Sequence, residues 1–259
     1  MSAASVTALA LAPVKGMRLV GVDALELEAN GARGDRAFLT VDASTHELLL
    51  STRHPRLVQI VPRFDPASRT LALRFPDGTE VSAVVEAGEP ASTANYAGRP
   101  IPGRLVGGPL ADAISAHLGR PVRLLERDEE ARGADDAPVT LMSAASLAAL
   151  APELDGMVPD ARRFRMTIGI DGVDAWEEHG WGGREIAVGE ALLRGLDPVR
   201  RCVVTTRDPE DGRRDAPVLE ALATLRGKRD VTFGMLCEVL APGRVRVGDP
   251  VTVSERTGP

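Results

Sequence analysis

The chain has 259 residues, 44% hydrophobic and 26% charged, with a formal net charge of −6. That length supplies one large domain or two small ones with a sizeable core. The acidic balance argues against nucleic-acid partners, and no apolar run reaches the roughly 20 residues of a membrane span.

Aromatic residues make up only 3%, so Leu, Val, Ile and Ala must carry the packing. Arginine outweighs lysine, and its planar fork suits phosphate and carboxylate. The first fifteen residues lack a charged region ahead of their apolar stretch and do not read as a signal peptide. Two cysteines, Cys202 and Cys237, are no disulfide framework. A reducing, cytoplasmic setting is expected, where thiols stay free for chemistry.

In chain order, residues 6–11 are strand-prone and end at Pro13, and residues 21–28 alternate apolar and polar. Asn30-Gly31 marks a turn. Residues 37–41 and 47–50 read as a hairpin, and residues 57–64 and 70–75 as another. Pro76-Asp77-Gly78 turns the chain, with Pro fixing φ and Gly accepting positive φ, before a strand at 81–86. Such short strands at regular spacing point to a barrel or sandwich. Between 87 and 108 the composition shifts to Gly, Pro, Ala and Ser, which reads as a linker. Pro109 opens a helix with Leu110, Ile114 and Leu118 on one face, stopped by Gly119.

Residues 122–125 form a strand, 126–136 a solvated acidic loop, and Ser143 caps a helix that Pro152 limits. Further strands are expected at 166–170, 185–188, 191–196 and 202–206. A helix follows over 216–225, then two closing strands at 232–240 and 244–253. The expectation is a mainly β fold with a few short helices (α+β), divided into residues 1–108 and 109–259.

The most informative stretch is Asp197-Pro-Val-Arg-Arg-Cys202-Val-Val-Thr-Thr-Arg-Asp208-Pro-Glu-Asp-Gly212. Arginines beside a cysteine favour the thiolate, the form a soft transition metal binds. Thr205, Thr206 and Asp208 can hydrogen-bond a polar group just beyond. From composition alone, a small buried residue starting a strand is the preferred account of Cys202, with Asp208 to Gly212 an ordinary turn. Cys237, in an apolar strand, reads as core. The four histidines show no metal-ligand spacing, and residues 176–183 read as a mobile loop or an anchored turn.

The run from Arg201 to Pro209 resembles the signature of the MOSC domain, the molybdenum cofactor sulfurase C-terminal domain. Other pieces stand in that family's order: Pro13-Val14-Lys15, Gly34-Asp35-Arg36, Ser51-Thr52-Arg53-His54-Pro55, Ser143-Ala-Ala-Ser146, Arg163-Phe164-Arg165 and Pro242-Gly243-Arg244. Together they cover almost the whole chain. The chain is similar to members with an N-terminal MOSC β-barrel that reduce N-hydroxylated compounds. The resemblance implies a molybdenum-pterin cofactor in a cleft between two β-rich domains, with Cys202 as metal ligand. It further implies Lys15, Arg36, Thr52 and Arg53 as cofactor contacts from the first domain. Ser143, Arg165, Thr167, Arg201, Thr205 and Thr206 would contribute from the second, with Asp208 a candidate general acid. Four positions depart from the family pattern: Gly16 replaces Ser, Met166 and Thr167 replace Pro and Asn, and Ala37 stands where an aromatic is common.

The function implied is reduction of N-hydroxylated or N-oxide substrates, with electrons from a separate flavoprotein or ferredoxin-type protein. The alternative is a carrier of the cofactor, or of a persulfide on Cys202, without turnover of its own. A third is a binding module whose site has decayed.

Overall fold

The computed structural model describes residues 4–228 and 230–255. It is mainly β, with α1 (Pro109–Leu118), α2 (Ala144–Ala148), α3 (Val218–Arg226) and several 3-10 turns among the described residues. None of these helices is long and apolar enough to cross a membrane.

Two hydrophobic cores organise the chain. The first packs a five-stranded sheet and the meander Val61–Asp65, Thr70–Arg74 and Glu80–Val84. In order, the larger sheet runs Ala87–Ala94, Pro100–Val106, Val122–Arg127, Phe38–Asp42 and the short Val14–Lys15. Phe38, Val106 and Leu124 face the meander's Leu71 and Leu73, while Leu39, Leu105 and Leu125 form a cluster on the opposite face. This is the period-two alternation of strands.

α1 lays Leu110 and Ile114 on the first core, opened by Pro109 and ended by Gly119 at φ 70°, where glycine carries no Cβ penalty. The expected division after residue 108 separates α1 and Val122–Arg127 from a core that holds both.

The second core is wrapped by an eight-stranded sheet: Val251–Val253, Glu185–Val188, Ala191–Arg200, Thr232–Ala241, Val139–Ser143, Ile168–Asp171, Ser5–Leu11 and Val20–Val22. Neighbours are antiparallel except Val139–Ser143 with Ile168–Asp171. Register shifts between Ala191–Arg200 and Thr232–Ala241 bend and twist the pair. The sheet curls until an isolated bridge, Ser5 with Pro250, joins its first strand to the approach to its last. It is not a closed barrel: Val20–Val22 ends one edge and Val251–Val253 the other.

The chain crosses between cores four times: from Leu11 to Val14, Met17 to Val20, Ala32 to Phe38, and Arg127 to Val139. The stretch expected to be a linker is instead the hairpin Ala87–Ala94 with Pro100–Val106.

Candidate functional site

A cavity of about 450 Å³ opens between the two cores. Lys15 and Gly16 reach it from the end of the strand Val14–Lys15, and Arg36 from the turn ahead of Phe38–Asp42. Gly16 has φ +86°, which suits glycine and strains any side chain.

Cys202 enters from the opposite wall, two residues beyond the strand Ala191–Arg200. Its backbone is extended, with φ −125° and ψ −179°, and a 3-10 turn, Val203–Thr206, follows at once. The Cys202 carbonyl accepts from Thr205 N at 3.1 Å and Thr205 Oγ1 at 3.0 Å. Those bonds commit the main chain to the turn and leave the thiol exposed on the cavity wall. Cys237 lies wholly inside the second core, where burial pushes its thiol up to about 12.

Beside Cys202, Arg201 is a half-buried cation. Its guanidinium donates to the Phe233 carbonyl at 2.9 and 2.6 Å and the Phe164 carbonyl at 3.0 Å. It also stacks over both rings, 5.5 and 5.9 Å from their centroids. It makes no ion pair among the described residues, and burial pulls its pKa down to about 9 against the weaker opposing pull of negative charge at Cys202 and Asp136.

Arg165 follows the 3-10 turn Ala161–Phe164 in the left-handed conformation, φ 54°. Its guanidinium borders the cavity and donates no hydrogen bond to a described residue, although its carbonyl accepts from Arg36 Nη2 at 3.4 Å. Burial first, then the charge of Arg36, pulls Arg165 down to about 10. Arg36 itself is paired with Asp35. Burial also lowers Lys15, against the opposing pull of Asp135 at 2.7 Å; Lys15 donates to Gly133 O at 2.8 Å as well.

Taking a cation partly out of water without an ion pair is costly, and neither Arg165 nor Arg201, both half-buried, makes one among the described residues. An anionic group with several acceptor oxygens would satisfy the idle fork of Arg165. The donor set on the walls thus fits an anionic, phosphate-bearing cofactor, with one accessible thiol for a soft metal. No cluster of three or more His, Cys, Asp or Glu among the described residues forms a metal cage.

Fold and cleft together define a two-core β protein with a cation-rich, thiol-bearing cleft. Residues 128–252 match the MOSC domain family and residues 3–121 the MOSC N-terminal beta barrel domain family. Mitochondrial amidoxime-reducing component 1 of Homo sapiens is 28% identical, over 95% of this chain and 82% of that protein. Its Xenopus laevis counterpart is 30% identical, over 98% and 83%. Among solved structures, the YUAD protein from Bacillus subtilis is 13% identical, with TM-score 0.47 over 97% of this chain and 96% of that one. The chain belongs to the MOSC-domain proteins.

Of the expected site residues, Lys15, Arg36, Thr52, Arg165, Arg201, Cys202 and Thr205 meet on the cavity wall. The other five lie off it. Arg53 is exposed on the turn beyond Thr52. Ser143 is fully buried: it caps α2 and donates to Glu178 Oε2 at 3.1 Å. Thr167 stands behind the wall residue Thr140, their hydroxyls 3.3 Å apart. Thr206 Oγ1 is tied to Val203 O at 2.7 Å. Asp208 is turned back on its own loop, accepting from Glu210 N at 2.7 Å and Asp211 N at 3.1 Å. That loop docks on the first core, where Arg18 Nη2 donates to Glu210 O at 2.6 Å and Gln59 Nε2 to Asp211 O at 2.9 Å.

The wall also includes residues that sequence reasoning did not assign: Arg163, Tyr96, Asp135 and Asp136. Tyr96 is the single tyrosine of an aromatic-poor chain, standing in a Gly- and Pro-rich stretch. That rarity was the available signal.

Proposed function

We propose that the cleft holds a molybdenum-pterin cofactor with Cys202 as the protein's metal ligand, and that the protein reduces N-hydroxylated or N-oxide compounds. The observation carrying this reading is the accessible Cys202 thiol beside two cations, Arg165 and Arg201, that lack carboxylate partners. The names of the relatives, amidoxime-reducing components, point the same way.

Arg165, Arg36 and Lys15 would hold the phosphate and pterin, with the Thr52 and Thr205 hydroxyls beside them. When bound, the cofactor supplies two-electron chemistry at the N–O bond. Arg201 places a fixed positive charge next to Cys202 and complements an anionic ligand set. Phe164, Met166 and Leu236 line the cavity with apolar surface, which lowers the local dielectric and strengthens these interactions.

Overall, two electrons and two protons are taken up and the oxygen leaves as water. Two cysteines cannot ligate a four-cysteine iron–sulfur cluster, so the electrons come from a separate flavoprotein or ferredoxin-type reductase. A reducing, cytoplasmic setting suits two free thiols.

The test is to purify the protein from a host that makes the cofactor, assay molybdenum and pterin, and follow benzamidoxime reduction with a reduced dye. Cys202→Ala is expected to abolish molybdenum retention, while Cys237→Ala keeps it. Equal loss in both variants overturns the assignment. Bound metal without turnover returns the cofactor- or persulfide-carrier reading.

A further inference from the structure

We propose that Tyr96 and Asp136 form a substrate-discriminating pair at the cleft, selecting compounds whose reduced product is an amidinium or guanidinium cation. This rests on reading the cleft as the place where N-hydroxylated compounds are reduced.

Tyr96 sits in the turn between the strands Ala87–Ala94 and Pro100–Val106. Asn95 fixes that turn, its Oδ1 accepting from Ala97 N at 3.1 Å and Arg99 N at 2.8 Å. Tyr96 borders the cavity yet is 63% exposed, so a large ring lies open there. Its hydroxyl donates to Asp136 Oδ1 at 2.7 Å. That hydrogen bond is the main cause pushing the phenol up to about 12, with partial burial and nearby negative charge adding to it. The phenol therefore stays a donor at neutral pH.

Asp136 lies on the segment 128–137, clamped to the first core from both sides. Arg99 donates to Arg132 O at 3.1 Å and Ala134 O at 2.7 Å, and Lys15 pairs with Asp135. The two neighbouring carboxylates thus differ. Asp135 has its cation, whereas Asp136 is exposed on the cavity wall with no ion pair among the described residues. Its second oxygen accepts no hydrogen bond from them.

An open carboxylate beside an open aromatic face matches a planar, cationic N–C–N group. Two parallel N–H donors can pair with the carboxylate as a guanidinium does, and the cation can lie against the ring. N-hydroxylated amidines are neutral near pH 7, and their amidine products are protonated. As the N–O bond breaks and a proton is taken up, positive charge grows on the N–C–N group. Asp136 then binds the later state more strongly than the substrate, which is the condition for lowering a barrier. A hydroxamic acid, whose product is a neutral amide, gains nothing from this carboxylate.

The experiment measures, by calorimetry on the full chain, binding of benzamidine and of its neutral isostere benzamide to wild type, Asp136→Asn and Tyr96→Phe. Asn keeps an acceptor for the Tyr96 hydroxyl, and circular dichroism checks each fold. Wild type is expected to bind benzamidine over benzamide, with Asp136→Asn weakening benzamidine about tenfold or more and Tyr96→Phe weakening it less. The ratio of kcat/KM for benzamidoxime over benzhydroxamic acid should fall about tenfold in Asp136→Asn. Equal benzamidine affinity in wild type and Asp136→Asn, or no benzamidine binding to wild type, overturns the proposal. If wild type reduces neither compound while benzamidine binding still depends on Asp136, the cation site stands and the reductase reading fails.

Discussion

His179 shows how one side chain in this protein reports on its surroundings. Arg226 Nη2 lies 3.0 Å from its Nδ1 and must be the donor, so the imidazole accepts and is neutral. Protonation at Nδ1 would break that bond and set a second cation against Arg226, whose guanidinium already lies over the Trp176 ring. Burial first, and Arg226 second, pull His179 down to about 4 from its ordinary 6.5, with Asp230 opposing. Between those two values the unfolded chain holds a proton that the folded chain lacks, so stability rises with pH there. The contribution is complete above about 6.5 and is lost as pH falls toward 4. A series of thermal melts from pH 7 to pH 4 should show wild type losing more midpoint temperature than His179→Gln. Parallel curves would mean that His179 takes no part.

At the scale of elements, the wall carrying Cys202 is held by Arg163, to which the sequence analysis gave no role. Arg163, only 7% exposed at its side chain, forks onto Asp215 at 2.7 and 2.6 Å and also donates to Arg207 O at 2.7 Å. It thereby ties the 3-10 turns Ala161–Phe164 and Val203–Thr206 together. Asp215→Ala would strand that guanidinium at a cost of about 2 kcal/mol. The melting midpoint is expected to drop by roughly 4–8 °C, with Asp215→Glu losing less; an unchanged midpoint would refute the tie.

Elements with strong local signals were legible: α1 between Pro109 and Gly119, and the core strand around Cys237. Two were not. Val203, Val204, Thr205 and Thr206 are β-branched and read as strand by propensity, yet the Thr205 and Thr206 hydroxyls bond backwards to carbonyls three residues earlier and close a turn. The hairpin read as a linker carries its prolines where no ladder donor is needed. Pro90 is on an edge strand, and Pro100 and Pro102 precede the residues that pair with Val122–Arg127.

For the whole molecule, the interleaved path of the chain decides how it folds and what sequence reading can recover. Val6 and Leu9, and then Leu25 and Leu27, are packed in the second core, although the family match covering residues 128–252 contains none of them. A chain of residues 128–259 alone would expose the sheet edge that Ser5–Leu11 covers and the apolar surface beneath it. It is expected to lack native circular dichroism and to recover it when residues 1–34 are supplied in trans; independent folding of 128–259 would contradict the interleaved core. Cys202 was singled out because the run that resembles the family signature, Arg201 to Pro209, is contiguous in sequence. Arg163 with Asp215, and Tyr96 with Asp136, were not, because each partnership spans 40 residues or more and arises only when separate elements meet.

Four passes of backbone between the cores also forbid a jaw-like motion. Parting the walls would load all four passes at once, so the gap at Cys202 is expected to keep its width once the chain has folded. Even the outer rim, residues 128–137, which belong to no sheet, is pinned to the first core by Arg99 and Lys15. A wall laced in this way is expected to offer incoming molecules a gap of one width, so girth becomes a criterion for reaching the sulfur.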